Sequence, residues 1–421
     1  MDARADVLVV GAGLLGLSAA YFLGKRGLGV LLLDPRPPLT CTSDKSTECY
    51  RVFWPGDEAL ALLVGRSLEL LEAFPEVRKN RRGYLYAGRE EALLALSEGA
   101  EATGPLRRHT RPETYPEGAA SGMDLLVGEA LKARFPYLRA EAALHVRPAG
   151  WLDAWGLGQA LWRRVREAGG RLLPGRAVGL EVEGGRVVGV ATEGGATLRA
   201  EAVVLAAGPG LPELLRALGE AAPLTREAHF KAWFPDPQGA FPKEAPLLIL
   251  QEEVRLFGEE EALLLEGEEA LAPYLKALPP GAHARPEGEG FLALFNPFPE
   301  RVERAGCEPT PPPFYPELAL RALARLLPGL EGYLRALPKA RVDGGLYVRT
   351  PENRPLIGPL ARPGAYALGA FSGFGVMAAL GAGELLAKHL LGEALPPHAR
   401  AFHPGRYRDP DYRPPAGSHQ L

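Results

Sequence analysis

The apolar pattern opens with a run from Val7 to Val10, three of its four residues β-branched, which suits a strand buried on both faces of a parallel sheet. Glycines at 11, 13 and 16 follow. Leu17, Ala20 and Leu23 then recur at a helical period, with Ala19 and Phe22 beside them, and a turn at Gly27 leads into a second apolar run, Val30 to Leu33, that ends on Asp34. The pattern predicts strand, helix and strand within about 30 residues.

Farther along, residues 59–74 read as an amphipathic helix with Leu60, Leu63, Leu68 and Leu71 on one face and Pro75 at its end. Residues 83–87 read as a strand. From 89 to about 144 charged helical pieces alternate with Pro/Gly breaks, as in an insertion. The earlier idiom resumes with a helix at 157–168 and strands at 177–182, 186–190 and 197–200, the first two joined at Gly184-Gly185 as a hairpin within a meander. A separate buried strand is expected from Ala202 into Gly208. Residues 224–337 alternate strand-like and helical pieces, including a helix at 317–327, compatible with a mixed sheet covered by helices. Strand, loop and strand are expected over 344–359, and a strand at 365–370 leads into a helix opened by Gly373 and Gly375. The tail, 396–421, lacks periodicity and is expected to be extended. The fold class expected is α/β, a Rossmann-type nucleotide-binding domain (1–88, 145–215 and 340–395) interleaved with a mixed-sheet α+β substrate domain (89–144 and 216–339).

The first unit has a definite chemistry. In G-x-G-x-x-G between a buried strand and a helix, Gly11 permits the tight turn, Gly13 lets backbone approach a pyrophosphate, and Gly16 lets helix and strand pack closely. The helix N-terminus attracts the phosphates, and Asp34 is placed for ribose hydroxyls. NAD and FAD both fit. The helix start at Gly373 and Gly375 offers a second set of unpaired amides.

Composition bounds the setting. A chain of 421 residues can bury a large core, and a net charge of -3 gives no basic field for nucleic acid or anionic lipid. Cys41, Cys49 and Cys307 form no C-x-x-C pair and leave an odd one over, which argues against a disulfide framework and for a reducing compartment. With no cleavable leader and no apolar stretch of about 18 residues, a cytoplasmic protein without a transmembrane segment is expected. Three Asn, four Gln and three Met beside 41 Pro point to a thermophilic source. His109, His145 and His229 lack metal-ligand spacing, so no metal is assigned and each is read as an ordinary core or surface histidine.

The first strand–helix–strand unit, the AAG strand end (Ala206, Ala207, Gly208), the TPENRPLIGP loop and the FSGFG helix start resemble, in this order and spacing, the D-amino-acid oxidase superfamily, most of all its sarcosine oxidase and glycine oxidase branch. The resemblance implies FAD. The implied cofactor contacts are Gly11, Gly13, Leu14, Leu15 and Gly16 in the first turn, then Asp34, Pro35 and Arg36. The polar loop adds Ser43, Lys45, Ser46 and Thr47. Ala177 and Val178, the AAG turn, Gly345 and Gly369 follow, and the segment Phe371, Ser372, Gly373, Phe374, Gly375, Val376 and Met377 completes the set at the pyrimidine edge of the flavin. Arg51 falls where sarcosine oxidases grip the substrate carboxylate, and Tyr347 matches a tyrosine of the substrate cavity. Gly345 stands in place of the cysteine that binds flavin covalently, so the implied FAD is non-covalent. Phe374 and Met377 replace a histidine and a lysine, Glu48 replaces a basic residue, and the oxygen-activating lysine has no equivalent other than Lys45.

The expected activity is oxidation of a small amino acid or N-alkyl amino acid by hydride transfer to flavin N5, giving an imine that water hydrolyses, with Arg51, Tyr347 and Lys45 as the catalytic set. Oxygen or a quinone would take the electrons. Two alternatives stand beside it: a dehydrogenase of the same fold that passes electrons to quinone or a partner protein, and a flavin-binding assembly protein whose catalytic cavity has decayed.

Overall fold

A computed structural model describes residues 4–414. The first sheet has eight strands. Strand β1 (Arg4–Val10) lies between β2 (Val30–Asp34) and the strand Thr197–Leu205, all parallel, with Val7 opposite both Val30 and Ala202. Between β1 and β2 runs helix α1 (Leu14–Gly24), its Leu17, Ala20 and Leu23 fully buried as the periodicity requires. Thr197–Leu205 is a single strand where the sequence pattern suggests two. Its first half pairs antiparallel with the meander strand Arg186–Thr192, and its second half pairs parallel with Ala365–Gly369. The same interior strand thus takes two successive partners besides β1, and the change from alternating to continuous burial at Ala202 marks the handover.

The second sheet has ten strands and includes 84–88, 142–146, 225–235, 247–250, 283–287, 290–294 and 341–349. Two of these, Tyr84–Gly88 and Arg341–Arg349, fall within ranges that the sequence reading gives to the nucleotide-binding domain. The insertion after residue 89 holds strands 106–109 and 123–127 as well as the expected short helices. Where an extended tail is expected, the chain winds into two 3-10 turns, Pro397–Phe402 and Pro404–Arg408, that pack back on the body, and residues 415–421 lie outside the described region.

A helical layer covers the first sheet. Helix α2 (Glu58–Leu71) is capped by the Asp57 side chain, which accepts from the Leu60 amide. The last helix, Gly375–Leu391, meets α1 and α2 at backbone distance: a Cβ on Gly383 would lie 2.2 Å from Ser18 Oγ, and one on Gly381 2.6 Å from the Leu63 carbonyl oxygen. Ser18 Oγ donates to the Ala379 carbonyl at 2.7 Å and locks that contact. The two helices that start at the nucleotide-binding ends of the sheet are therefore held as one layer.

One expectation from the cysteines is overturned. Cys41 and Cys307 form a disulfide with Cα atoms 5.0 Å apart, and Cys49 is the free, buried one. Their separation of 266 residues hides the pair from any local spacing rule. The argument from unpaired thiols to a reducing compartment loses its premise. Among the described residues no helix is long and apolar enough to cross a membrane.

Candidate active site

The nucleotide cradle is built by glycines that nothing larger could replace. Gly11 has φ +110°, and a Cβ there would come within 2.2 Å of the Ala206 carbonyl oxygen; one on Gly16 would come within 1.9 Å of the Gly11 carbonyl oxygen. Strand end, turn and helix start are thus pressed together, with Ala206 donating to the Val10 carbonyl. Asp34 accepts from the Ala12 amide at 2.8 Å and the Arg36 amide at 2.9 Å, which fixes its carboxylate at the mouth of this turn. The Gly175 amide donates to the Asp34 carbonyl, bringing the start of strand Ala177–Glu183 alongside, where Val178 is 56% exposed. Neither helix α1 nor the last helix is capped by the side chain of its own N-cap residue, Gly13 and Phe374, although Ser43 Oγ takes the Leu14 amide of α1. Their first-turn amides have no intrahelical acceptors. Two helix starts with first-turn amides left over, a fixed acidic residue and a turn with no room for side chains fit an elongated dinucleotide such as FAD.

Between the two sheets lies a cavity lined by Thr47, Arg51, Trp54, His229, His283 and Tyr347, with Asn296, Asn353, Gly373, Phe374 and Met377 also facing it. Arg51 ends strand β3 (Cys49–Arg51). It is buried, its Nε donates to the Phe53 carbonyl at 3.0 Å, and its guanidinium rests 4.5 Å from the Trp54 ring centre. Two acidic residues near it in sequence have cations of their own. Asp57 takes a two-pronged bond from Arg354 (2.8 and 3.1 Å), and Glu48 pairs with Arg285 at 3.2 Å and accepts from the Ala154 amide. Among the described residues no carboxylate lines the cavity, which suits an anion beside Arg51.

Across the cavity His229 stacks on Tyr347, ring centres 4.1 Å apart and planes 15° from parallel. Burial lowers the His229 pKa, only partly offset by Glu227, whose Oε2 lies 3.6 Å from Nε2, so the imidazole is neutral at pH 7. Burial would raise Glu227, but the bonds and charges of His229 and Arg349 outweigh it and hold the carboxyl at about 2. Burial pushes the Tyr347 phenol up to about 12 and His283 down to about 4. The cavity therefore holds a fixed positive charge, a neutral base and a phenol that stays protonated.

The remaining expected residues divide. Thr47, Gly373, Phe374 and Met377 join Arg51 and Tyr347 at the cavity. Ser43 accepts from the Leu14 amide at 3.0 Å, at the first turn. Ser46 faces away from the cavity into a neighbouring cleft, its hydroxyl holding the Glu48 amide and its carbonyl taking the Lys231 ammonium at 2.7 Å. Lys45 does not line the cavity. It pairs with Asp44 at 3.4 Å and Asp343 at 3.5 Å, and these charges outweigh burial and raise its pKa. Gly369 is a packing glycine, its Cβ position 2.4 Å from Leu211. Gly345 lies opposite His229 in the sheet, with Thr42 and Lys45 side chains 3.3 and 3.4 Å from where a Cβ would stand. With no thiol at 345, FAD is expected to leave the protein on acid precipitation; yellow colour retained in the pellet would contradict this.

His229, His283 and Asn296 are absent from the sequence-based set. His229 and His283 come from two strands and Asn296 from the loop after a third, and they face one cavity only after the second sheet has formed. Asn353 is also missed, although it lies in the TPENRP loop that the pattern singles out.

The chain belongs to the DAO family of FAD-dependent oxidoreductases, whose sequence pattern matches residues 6–389. It is therefore a flavoenzyme with FAD as its cofactor. It is 28% identical over 430 residues to the tRNA 5-methylaminomethyl-2-thiouridine biosynthesis bifunctional protein MnmC of Delftia acidovorans, covering 93% of this chain and 59% of that protein. It is 24% identical over 425 residues to the mitochondrial dimethylglycine dehydrogenase of Homo sapiens, covering 96% and 44%. The chain thus spans less than two thirds of either relative. In fold it is similar to L-proline dehydrogenase from P. horikoshii, with a TM-score of 0.76 and 20% identity over 98% of this chain and 100% of that one.

Proposed function

We propose that this enzyme oxidises the carbon–nitrogen bond of a small amino acid or N-alkyl amino acid to an imine that water then hydrolyses. The observation that carries this reading is Arg51, a buried guanidinium in an aromatic cavity with no carboxylate in its wall, facing the uncapped start of the last helix. Bound FAD supplies the hydride acceptor. The protein's part is to grip the substrate carboxylate with Arg51, exclude water with Trp54, Phe374 and Met377, and hold the amine beside His229. The imidazole accepts the ammonium proton, which frees the nitrogen lone pair needed to expel hydride. The similar proteins named as proline and dimethylglycine dehydrogenases support an amine of this class.

The pH dependence has a definite sign. His229 has a lowered pKa, so it is already neutral near pH 7 and loses its function only as pH falls through that lowered value. Anaerobic flavin reduction should rise with pH as the amine deprotonates, with no loss from Tyr347 below about 12. His229→Gln should slow it by about 100-fold, the lower end of general-base effects. Stopped-flow traces over pH 6–10, an interval of about 4 units around the histidine and amine range, test this, and an unchanged rate in the variant would exclude His229 as the base.

A second reading concerns the electron acceptor. Among the described residues no lysine lines the cavity, and Lys45 is tied to two aspartates, which favours a dehydrogenase that reacts slowly with oxygen and readily with a quinone or dye. Mixing the reduced enzyme with oxygen decides it: fast reoxidation would point to an oxidase.

A further inference from the structure

The C-terminal turns do more than cover the sheet. Arg406, almost fully buried, donates to Glu352 at 2.9 Å and to the carbonyls of Arg354 at 2.8 Å and Pro355 at 3.1 Å. Glu352 is itself inaccessible to solvent and also accepts from the hydroxyls of Tyr407 at 2.7 Å and Tyr412 at 3.0 Å. Three side chains of the tail thus converge on one carboxylate, and the guanidinium holds two loop carbonyls besides. A buried carboxylate needs such partners, and the loop that carries it cannot move without breaking them.

That loop, residues 350–355, leads straight to the cavity. Asn353 next to Glu352 has φ 60°, unusual for a residue with a side chain. Its Oδ1 accepts from Arg349 at 3.0 Å and from Ser372 Oγ at 3.0 Å, and Asn353 lines the cavity. Ser372 and Ala370 are also left-handed, at φ 47° and 61°, and the Ser372 amide is held by the Val348 carbonyl at 2.9 Å. On its far side the loop is fixed by the two bonds from Arg354 to Asp57, the cap of α2. Non-glycine residues stay in this backbone region only where their surroundings over-determine them. Here the determination runs from the tail through Glu352 to Asn353, then to Ser372 and the turn that leads into the helix at Gly375.

We propose that residues 397–412 are a positioning strap for the cofactor site, in which Arg406, through Glu352 and Asn353, fixes the direction of the amides at the start of the helix Gly375–Leu391. Arg406 is a positioning residue, since it touches neither cavity nor cofactor cradle. The inference rests on the reading that this helix start faces the flavin, and the test separates the two.

The experiment uses the full chain, stripped of FAD and titrated with FAD while flavin fluorescence and visible circular dichroism are followed, with melting temperature recorded in parallel. Arg406→Met should weaken FAD binding tenfold or more, change the flavin dichroism and lower the melting temperature, because Glu352 is left buried without its cation. The double variant Glu352→Gln/Arg406→Met removes the lone charge. It should regain most of the melting temperature while FAD binding stays about tenfold weaker. Arg26→Ala, which cuts the more exposed pair to Glu393 just before the tail, should leave FAD binding unchanged. Ser372→Ala, at the site itself, should weaken FAD. If Ser372→Ala weakens FAD while both Arg406 variants bind it as the wild type does, the strap is wrong and the site reading stands. If Ser372→Ala is also without effect, the helix start is not the flavin site, and both readings fall. Recovery of FAD affinity together with stability in the double variant would reduce Arg406 to a purely structural residue and overturn the proposal.

Discussion

Arg51→Ala should weaken an amino-acid substrate by a factor on the order of 30 or more, because removing one partner of a desolvated charge pair costs about 2–5 kcal/mol. The guanidinium offers a planar fork of donors suited to a carboxylate. Its position is set by the Phe53 carbonyl and the Trp54 ring, contacts that remain for neither a lysine nor an alanine. Neither Glu48 nor Asp57 depends on Arg51, since each already has another cation, so the variant should fold and keep its FAD. An amine of the same shape without a carboxylate should lose almost nothing. Substrate titration of the anaerobic enzyme with both compounds separates the cases: equal losses, or none, would remove Arg51 as the carboxylate clamp.

Gly11→Ala should give protein without flavin. The added methyl meets the Ala206 carbonyl oxygen at 2.2 Å, backbone against backbone, in a conformation that disfavours any side chain. The two penalties together put the loss at the upper end of single-substitution effects, about 3 kcal/mol or more. Gly27→Ala makes a clean comparison. Its φ is +85°, but nothing lies within 4 Å of the new methyl, so only the conformational cost of about 1–2 kcal/mol applies and FAD content should be normal. The absorbance ratio of flavin to protein after purification reads both variants. A fully yellow Gly11→Ala protein would mean that the turn is not the dinucleotide cradle.

The two variants also show what could be read from the sequence alone. The first turn is legible because its glycines sit in one short motif between a strand and a helix, with Gly16 against Gly11, although the contact of Gly11 with Ala206 comes from a distant strand end. Arg51 and Tyr347 were found through the resemblance, and both face the cavity. His229 reads as an ordinary histidine in the sequence because it lacks metal-ligand spacing, and a strand position says nothing about what lies across the sheet interface. Its place at the cavity goes with Tyr347, 118 positions later, stacking on it through strand pairing of Glu227 with Tyr347 and His229 with Gly345. The Cys41–Cys307 bond is hidden for the same reason. The tail has no periodic pattern because its order comes from single contacts, the buried Phe402 and Ala399 and the bond of Arg406 to Glu352, and not from a continuous helical face. Lys45 was the opposite case: a residue type that suits the chemistry, in the expected loop, but held by Asp44 and Asp343 outside the cavity wall.

The central claim is that this cavity oxidises a carboxylate-bearing amine. An anaerobic screen of amino acids and N-methyl amino acids against the purified holoenzyme, followed by bleaching of the flavin band, tests it without any choice of electron acceptor. At least one small amino or N-alkyl amino acid should bleach the band, faster at higher pH, and its decarboxylated counterpart should not do so at the same concentration. A band that no amine bleaches, or one bleached equally by the decarboxylated compound, would contradict the account.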